Sequence, residues 1–527
     1  MNGQPSSAGS VISQIVATPP AAGHRITFQR LDGATAMTLT ELYETADRLA
    51  RGLRASGIEP GMRIGIVAAN SPEWVLLDLA ALRLKAVTCG FEAGKFEAGP
   101  ALLDRYRLAV LFADRPVTGD PCIRPMSDIG RLAELGASSD PLPVPGYQPP
   151  DATTIKFTSG STGEPKGLAA TVGSIDSSIS AVQAMFGHCD GDNLFIFLPL
   201  SLLQQRYWIY SALRFGHDVT VSTYEAAFPA LHRSGATVVM GVPAFYETAR
   251  NHIEAMARRA AGGAAPSAAD LRGAASELFG DRIRYLWTGS APARPATLRF
   301  FADAGLPIYE GYGLNETCIV AKNHPRAHRD GSVGQVLPGK QVMFDADGLI
   351  SVRSEHPVNW RYEYAAPGES ERVFGPDGTI RTGDLGYLDE DGFLFIRGRA
   401  DDVVVLDNGK NILVRPLEEF LKDSPAIEEC VVACPGRSRL VTVVSPASDP
   451  PDTAAIAARV AAANAAFGAD ERISDIVITP ERFSVANGML TSQFKPRRRR
   501  IAETYLREAA FGSAGEKATA VMAKKGS

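Results

Sequence analysis

The first part of the chain alternates between helix-like and strand-like patterns. Thr38 and Glu41 form a capping-box pattern, and apolar residues then recur at near-helical spacing over 42–53, which predicts an amphipathic helix. The short apolar run 63–68 predicts a strand, and a second helical stretch covers 72–84. Helix, strand and helix in this order indicate α/β layering over a parallel sheet.

The alternation resumes beyond residue 150. Apolar runs of strand length lie at 154–158, 194–198, 218–222 and 237–241. Two other segments lack a periodic pattern. Residues 115–152 are rich in Pro, Gly and Asp, which favours a surface connection, and residues 260–275 are rich in Ala and Gly, which favours a mobile insertion.

The last third of the chain has a different pattern. Over 348–396 the strands are short, alternating and punctuated by glycine, which predicts an antiparallel subdomain. Further short apolar runs lie at 403–406, 416–421, 430–433 and 440–444. We therefore predict an α/β fold with a large N-terminal multi-subdomain body that includes a β-rich subdomain (1–398), a small α+β C-terminal domain (403–510) and a disordered tail (511–527).

Composition narrows the function classes. The 527 residues include 54 Lys and Arg against 59 Asp and Glu, a formal charge of -5, so no overall basic field attracts nucleic acid. The 6 cysteines are too sparse for a disulfide scaffold and show no zinc-type pairing, which favours a reducing compartment. No window approaches the ~20 apolar residues of a membrane span. We expect a cytoplasmic protein without nucleic-acid partners or a membrane span.

Residues 157–167, Phe-Thr-Ser-Gly-Ser-Thr-Gly-Glu-Pro-Lys-Gly, carry the strongest local signal. Glycines let a backbone approach an anion closely, and hydroxyls with an ammonium complete a phosphate cradle. The segment is not a Walker A loop, because Pro165 and Gly167 stand where that motif needs Gly and Ser or Thr. The alternative is a flexible surface turn. The candidate phosphate ligands are Thr158, Ser159, Gly160, Ser161, Thr162, Gly163 and Lys166.

Residues 309–317, Tyr-Glu-Gly-Tyr-Gly-Leu-Asn-Glu-Thr, form a second candidate segment. They supply an aromatic face for a base, glycines for a tight turn and a carboxylate suited to Mg²⁺. The segment fails as a dinucleotide fingerprint because Glu316 occupies the third glycine position. A glycine-rich turn with packed tyrosines is the other interpretation.

Two further segments lie toward the C-terminus. Asp384 and Arg399 could together clamp a ribose, since a carboxylate accepts both sugar hydroxyls and a guanidinium adds a charged donor. An Asp in such a turn is otherwise usually a cap. Residues 487–495, Asn-Gly-Met-Leu-Thr-Ser-Gln-Phe-Lys, precede the basic run 497–500, which by itself is typical of a solvated surface.

These motifs, in this order from residue 38 to 500, resemble those of the AMP-forming adenylating enzymes, and most closely those of the long-chain acyl-CoA synthetases. That superfamily also includes firefly luciferase and the adenylation domains of peptide synthetases. The resemblance implies that Tyr312 stacks on adenine, that Glu316 holds Mg²⁺ and that Lys495 bridges the substrate carboxylate and the α-phosphate. It also implies that a mobile C-terminal lid rotates about a hinge at 399–402, with Asp402 as its marker.

The resemblance extends the set of candidate site residues. Lys495, Glu316 and Lys166 become the catalytic candidates. The ATP-binding candidates outside the phosphate loop are Gly289, Ser290, Glu310, Gly311, Tyr312, Gly313, Asn315, Thr317, Asp384 and Arg399. Three features depart from the family pattern: Leu202 replaces a His, Asn315 replaces a Thr, and the region 89–151 is short. The nucleotide end is thus nearly complete, while the substrate end is altered.

The resemblance implies a reaction in two steps. Mg-ATP adenylates a carboxylic acid with release of pyrophosphate, and the acyl group then passes to a thiol of CoA or of an acyl carrier protein. ATP and Mg²⁺ are the implied cofactors, and CoA is the expected cosubstrate. One alternative keeps the scaffold but activates nitrite for diazotisation of an aryl amine. A second alternative is a scaffold that binds ATP without turnover, against which the full set of site residues argues.

Overall fold

The computed structural model describes residues 9–116, 119–159, 165–407, 410–435, 439–490, 496–506 and 520–522. Its helices are α1 (Val11–Ala17), α2 (Leu39–Ala55), α3 (Pro72–Leu84), α4 (Pro100–Tyr106), α5 (Asp128–Ala137), α6 (Val172–Phe186), α7 (Leu203–Phe215), α8 (Ala227–Ser234), α9 (Pro243–Ala260), α10 (Ala268–Phe279), α11 (Pro295–Asp303), α12 (Glu369–Val373), α13 (Arg415–Lys422), α14 (Thr453–Ala466) and α15 (Arg498–Tyr505). Short 3₁₀ turns cover Ala400–Asp402 and Ala469–Glu471.

The strands follow the alternation that the sequence predicts. They are β1 (Arg25–Gln29), β2 (Ala34–Thr38), β3 (Arg63–Val67), β4 (Val87–Phe91), β5 (Val110–Ala113), β6 (Ile123–Pro125), β7 (Ala152–Ser159), β8 (Pro165–Thr171), β9 (Asn193–Ile196), β10 (Asp218–Val221), β11 (Val238–Met240), β12 (Tyr285–Thr288), β13 (Ile308–Leu314), β14 (Cys318–Lys322), β15 (Gln335–Val336), β16 (Lys340–Phe344), β17 (Leu349–Ser354), β18 (Ile380–Leu388), β19 (Leu394–Arg399), β20 (Val403–Val405), β21 (Asn411–Leu413), β22 (Ile427–Ala433), β23 (Leu440–Pro446), β24 (Ile473–Ile478) and β25 (Ala520–Met522).

The chain divides into two compact units. The first unit comprises Met1–Met343, Ser351–Thr382 and Leu388–Phe395. The second unit comprises Phe344–Ile350, Gly383–Tyr387 and Ile396–Ser527. The domain limits and the hinge at 399–402 that the sequence suggests stay predictions.

Two large sheets build the first unit. One has six strands in the order β6-β5-β3-β4-β7-β8, and its pairs are parallel except for β7 with β8. The other has nine strands in the order β15-β14-β13-β12-β11-β9-β10-β1-β2, with a parallel centre and antiparallel edges. The predicted α/β layering over parallel strands is therefore confirmed.

The local signals of the first helices are also confirmed. The Thr38 hydroxyl accepts a hydrogen bond from the Glu41 amide, and the Glu41 carboxylate accepts one from the Thr38 amide, so α2 begins with a complete capping box. Helix α3 begins at Pro72 and is buried on almost every side. Because α3 is buried on nearly all sides, its apolar residues are not confined to one face as they are in an amphipathic surface helix.

A buried polar network joins α3 and α7 to the six-stranded sheet. Arg206 and Asp78 are 1% and 3% exposed, and the guanidinium donates to the carboxylate over 2.7 Å. Arg206 also donates to the hydroxyls of Thr88 and Thr154 over 3.2 and 3.0 Å, and the Tyr210 hydroxyl donates to Asp78. The network satisfies charges that would be costly to bury alone.

Two segments that the sequence leaves without regular structure are ordered. Within 115–152, the structure has strand β6 and helix α5, whose Ile129 and Leu132 are buried. Within and beyond 260–275, helix α10 starts with a Ser267–Asp270 capping box and buries Ala274, Ala275 and Phe279. The expectation that these segments lack regular structure is therefore wrong for α5 and α10. Helix α5 buries one face at helical spacing, whereas α10 packs largely through small apolar residues that give little periodic contrast.

The other sheets are smaller. Strands β16 to β19 form a four-stranded sheet in sequence order, which agrees with the predicted β-rich segment. In the second unit, β22, β23, β24 and β25 form a sheet, and apolar side chains of β22, β23 and β24 pack with α13 and α14. The sequence favours a disordered tail over 511–527, whereas β25 pairs in parallel with β24 through Val477 and Val521. None of the described helices is both long and apolar enough to cross a membrane.

Candidate active site

A hairpin of β13 and β14 carries the second candidate motif. The strands pair antiparallel with an irregularity between Tyr312 and Gly313. A Cβ atom on Gly313 would lie 2.0 Å from the Cys318 carbonyl oxygen, so the close approach of the two strands requires glycine there. Tyr312 is half-buried at this bend, and Asn315 is exposed at the tip of the hairpin.

Thr317 holds the turn at the end of this hairpin. Its hydroxyl accepts a hydrogen bond from the Leu314 amide over 2.9 Å and donates one to the Cys318 carbonyl over 3.0 Å. Thr317 is 1% exposed. The hydroxyl that the resemblance places beside the phosphates thus already stabilises the turn that presents Glu316.

Lys166 and Glu316, from different motifs, meet through Tyr362. The Tyr362 hydroxyl donates to Glu316 Oε1 over 2.6 Å, and Lys166 Nζ lies 5.2 Å from the centre of the Tyr362 ring. The Lys166 ammonium also forms an ion pair with Glu369 over 2.9 Å. The structure therefore brings two predicted catalytic residues of the first unit into one connected group.

The pKa shifts in this group keep the Glu369 carboxyl ionised and the Tyr362 hydroxyl neutral. The hydrogen bond from Lys166 lowers the pKa of the Glu369 carboxyl. Burial, reinforced by the neighbouring Glu316 carboxylate, raises the pKa of Tyr362 well above its ordinary value. Tyr362 therefore stays protonated and able to donate to Glu316 at any physiological pH.

Sequence reasoning missed Tyr362 and Glu369. The backbone of Glu363 exchanges hydrogen bonds of 2.9 and 2.7 Å with that of Gly167, which fixes the segment 360–364 beside the strand that follows the phosphate loop. An unusual run of aromatic and charged residues, Trp-Arg-Tyr-Glu-Tyr over 360–364, is the signal that could have drawn attention to it.

A small cavity, with a volume of about 20 Å³, adjoins the candidate residues Gly289 and Ser290. Its lining also includes Leu198, Gln204, Gln205, Trp208, Met240, Gly241, Val242 and Trp287. Gln205 Oε1 and Trp208 Nε1 are buried and, among the described residues, have no hydrogen-bond partner. The carboxylate of Glu310, another candidate residue, accepts a hydrogen bond of 3.1 Å from the Ala293 amide, beyond Ser290 in the chain.

Leu202, the departure from the family pattern at the substrate end, does not line this cavity. It is the residue before α7, is 36% exposed and is absent from the cavity lining. The cavity instead receives the polar side chains Gln204 and Gln205 from the first turn of α7. The effect of Leu202 on the acyl pocket stays a prediction.

The predicted ribose clamp lies in the second unit. Arg399 donates to Asp384 Oδ1 over 3.2 Å, and Asp384 is 5% exposed. Gly383, with φ of 74°, separates Asp384 from Thr382, and a Cβ atom at 383 would lie 2.9 Å from the Arg399 guanidinium. Glycine at 383 thus permits the approach of these two side chains, whose role toward a ribose stays a prediction.

Asp402, the predicted hinge marker, forms an ion pair with Arg498. The distance from Arg498 Nε to Asp402 Oδ1 is 2.9 Å, and the same guanidinium donates to the buried Glu418 over 2.8 Å. Burial raises the pKa of Glu418, and Arg498 opposes that shift. The basic run 497–500 is therefore only partly a surface feature. Arg498 forms ion pairs within the second unit, whereas the side chain of Arg499 is 92% exposed.

Part of the predicted site lies outside the described residues. This holds for Gly160, Ser161, Thr162, Gly163 and Lys495, and for the side chains of Thr158 and Ser159. Their proposed roles rest on the sequence.

Glu316 fits a magnesium ligand. Its Oε1 accepts the Tyr362 hydrogen bond, and its Oε2 accepts none from the described residues. No group of three or more acidic, His or Cys side chains that could hold a metal occurs in the described part of the chain. A single carboxylate is what Mg²⁺ uses when substrate phosphates and water supply its other ligands.

Comparison with known proteins identifies the family. The family described as AMP-binding enzyme matches residues 17–352, and the AMP-binding enzyme C-terminal domain matches residues 401–509. The long-chain-fatty-acid–CoA ligase FadD15 of Mycobacterium bovis is 31% identical, with 91% of this chain and 93% of the relative covered. The fatty acid–[acyl-carrier-protein] ligase MmaC of Mycobacterium marinum is 25% identical over 80% of this chain and 83% of its own.

The chain belongs to the AMP-binding enzymes, as an AMP-forming ligase that adenylates an acid before transfer to a thiol. The crystal structure of the anthranilate CoA ligase AuaEII with anthranoyl-AMP matches with a TM-score of 0.77, 19% identity, and coverage of 95% of this chain and 97% of that one. That likeness shows the fold. The predictions of family, fold class and reaction class are thereby confirmed, while the residue roles stay predictions.

Proposed function

We propose that this ligase activates a compact carboxylic acid with Mg-ATP and transfers the acyl group to CoA or an acyl carrier protein. The observation that supports the compact acid is the cavity beside Gly289 and Ser290. The cavity is small, with a volume of about 20 Å³, and Trp208 and Trp287 form part of its lining. A short-chain or single-ring acid suits this space better than an extended fatty chain.

The cavity also favours an acid with a polar substituent. Gln205 and Trp208 are 5% and 2% exposed, and each has a buried polar atom without a partner among the described residues. Unpaired buried polar groups are costly, so a ligand that pairs with them gains affinity. We expect a hydroxyl, amino or amide substituent on the acid to meet these two side chains.

The proposed first half-reaction requires positioning and charge neutralisation. A carboxylate oxygen of the acid attacks the α-phosphorus of ATP, the new P–O bond forms, and the bond to pyrophosphate breaks. Lys166 would contact the phosphates and Lys495 would donate to the oxygens on which negative charge grows. Glu316 would hold Mg²⁺, which when bound neutralises phosphate charge. Tyr312 would stack on adenine, and Asp384 with Arg399 would hold the ribose.

A panel of acids tests the proposal. AMP and pyrophosphate release would be measured with hexadecanoate, octanoate, benzoate and hydroxy- or aminobenzoates, each with and without CoA, and with nitrite, with and without an aryl amine. We expect a polar-substituted compact acid to give the highest kcat/KM. Replacing Gln205 with leucine should lower that value for the polar acid by about tenfold, the scale of one lost hydrogen bond, and should change it little for the unsubstituted acid.

Other outcomes of the same panel would contradict parts of the proposal. The highest kcat/KM with hexadecanoate would overturn the compact acid but leave the ligase class intact. Turnover only with nitrite plus an aryl amine would favour the diazotising alternative. Absence of turnover with every acid and with nitrite would favour the non-catalytic scaffold.

The thiol acceptor is decided by a separate comparison. The two relatives named above are a CoA ligase and an acyl-carrier-protein ligase, so both acceptors are compatible with the family. With the best acid, we would compare acyl transfer to CoA and to a phosphopantetheine-bearing carrier protein. Faster discharge of the adenylate by CoA would assign the cosubstrate.

Glu316 gives a metal-specific prediction. The variant Glu316→Gln keeps the shape of the side chain but loses its charge, so half-maximal ATP–pyrophosphate exchange should require about tenfold more Mg²⁺. Tyr362→Phe is the matched control, because it removes the 2.6 Å hydrogen bond and leaves the carboxylate in place. Equal Mg²⁺ requirements in Glu316→Gln and Tyr362→Phe would indicate that Glu316 serves only to hold Tyr362.

A further inference from the structure

The carboxylate of Glu369 uses both of its oxygens at the start of α12. Its Oε2 accepts a hydrogen bond of 3.0 Å from the Ala366 amide, and the Glu369 amide donates to the Ala366 carbonyl over 3.2 Å. These two bonds fix the side chain relative to the backbone that precedes the helix. Its Oε1 lies 2.9 Å from Lys166 Nζ. Glu369 is therefore a fixed acceptor for the lysine rather than a mobile surface charge.

The segment before α12 is itself anchored to two neighbouring strands. The backbones of Glu363 and Gly167, in β8, exchange two hydrogen bonds. Arg63 of β3 donates to the Glu363 carboxylate over 2.8 Å and to the Tyr364 hydroxyl. These contacts hold Glu369 at a defined place beside the strand that carries Lys166.

The ion pair with Glu369 gives the long Lys166 side chain a defined position. The Lys166 ammonium lies over the Tyr362 ring, 5.2 Å from its centre, while it contacts the carboxylate. The side chains of Lys166 and Glu369 are 14% and 13% exposed, so water and salt screen this pair less than a surface pair. A lysine without such a partner loses much more conformational entropy when a ligand orders it.

A carboxylate beside a phosphate-binding lysine either positions the ammonium or competes with the phosphate for it. An ammonium has three N–H donors, and the contact with Glu369 Oε1 occupies one of them. A phosphate oxygen can therefore accept a hydrogen bond from Lys166 while the ion pair persists. This donor count favours positioning over competition.

We propose that Glu369 is a positioning residue for adenylation, which holds the Lys166 ammonium in place for the phosphates of ATP. The inference rests on the proposed contact between Lys166 and those phosphates. In this role Glu369 acts through Lys166 and contacts neither ATP nor the acid. Because the ammonium is ordered before ATP binds, the benefit falls on the KM for ATP rather than on kcat.

Steady-state ATP–pyrophosphate exchange tests this role in the intact protein. Glu369→Ala should raise the KM for ATP by about tenfold, the scale of one side chain that must be ordered on binding, and should leave kcat within about threefold. Glu369→Gln should raise the KM less, because its amide oxygen still accepts a hydrogen bond from the ammonium. An unchanged KM in Glu369→Ala would overturn the proposal, and a lowered KM would overturn it in favour of competition.

Glu371→Gln is the matched control for these variants. Glu371 lies on the same short helix, and its side chain is exposed. Its substitution removes one negative charge near the site and should leave the KM for ATP within about twofold of the unaltered value. A rise in KM equal to that of Glu369→Ala would assign the effect to the overall charge of α12 and overturn the positioning role.

A double-variant cycle separates positioning from a purely structural role. The Kd of Mg-ATP would be measured by calorimetry, which needs no turnover, for the unaltered protein, Glu369→Ala, Lys166→Met and the double variant. If Glu369 acts through Lys166, Glu369→Ala should raise the Kd about tenfold in the unaltered protein and about twofold or less in the Lys166→Met background. Equal rises in both backgrounds would indicate a structural role and overturn the proposal.

The same cycle distinguishes failure of this inference from failure of the proposed function. An unchanged Kd in Lys166→Met would remove Lys166 from the phosphates, and the role of Glu369 would fail with it. A raised Kd in Lys166→Met together with an unchanged Kd in Glu369→Ala would overturn the role of Glu369 alone.

Discussion

Replacing Lys495 with alanine should slow ATP–pyrophosphate exchange by at least about 10²-fold. The resemblance places this ammonium beside the oxygens that gain negative charge as the acid attacks ATP. Removal of one such donor typically costs about 2.7 to 4 kcal/mol of transition-state stabilisation, and each 1.36 kcal/mol is about tenfold in rate. The exchange assay isolates the adenylation step, so a thiol acceptor does not enter the measurement.

Arg499→Ala is the matched control for Lys495. It removes a nearby cation that is 92% exposed and whose partner is Glu503 on the same helix. Its exchange rate should stay within about twofold of the unaltered protein. Exchange by Lys495→Ala at the unaltered rate would contradict the assignment of Lys495 to adenylation.

Replacing Asp78 with leucine should lower the free energy of unfolding by about 3 to 5 kcal/mol. The substitution leaves the Arg206 guanidinium, 1% exposed, without its carboxylate partner at 2.7 Å. The Tyr210 hydroxyl loses the same acceptor. Chemical denaturation, followed by the midpoint and its slope, measures the change.

A double variant distinguishes the cost of an unpaired buried charge from the loss of the Asp78–Arg206 ion pair itself. Asp78→Leu combined with Arg206→Met places apolar groups at both positions and should recover most of the loss, because an uncompensated charge costs more than a missing pair. Arg258→Met is the control, since Arg258 is 64% exposed in its pair with Glu254 and should change stability by about 1 kcal/mol or less. A loss in the double variant equal to the sum of the single losses would contradict this interpretation.

The sequence predicts the regular elements well where local signals are strong. The capping box of Thr38 and Glu41 and the Pro72 start place α2 and α3 almost to the residue. Helix α10 was missed because alanine and glycine give no periodic contrast, although alanine favours helix and Ser267 with Asp270 supplies a capping box. Weak hydrophobic periodicity therefore did not indicate absence of structure.

In the candidate site, too, the sequence alone reveals some side chains, and only the structure reveals others. Lys166 and Glu316 stand in motifs that the sequence alone reveals, because glycines, hydroxyls and charges at short spacing carry their own chemical meaning. Tyr362 and Glu369 belong to no such motif and were found only through their contacts with those two residues. Likewise, the sequence predicts that Arg498 belongs to a solvated surface run, and only the structure shows its ion pair with Asp402 and its hydrogen bond to Glu418.

By itself, the sequence determined the class of this protein: its motifs, their order and the α/β alternation are local properties of the chain. Only the tertiary structure decided which residues complete them. It brought Lys156 to Cys318 across 162 positions of sequence and Arg206 to Asp78 across 128. It also placed Trp208 and Trp287, which are far apart in sequence, in the lining of the cavity beside Gly289. Such contacts arise from packing between distant segments, and periodicity and short motifs report only on neighbours along the chain.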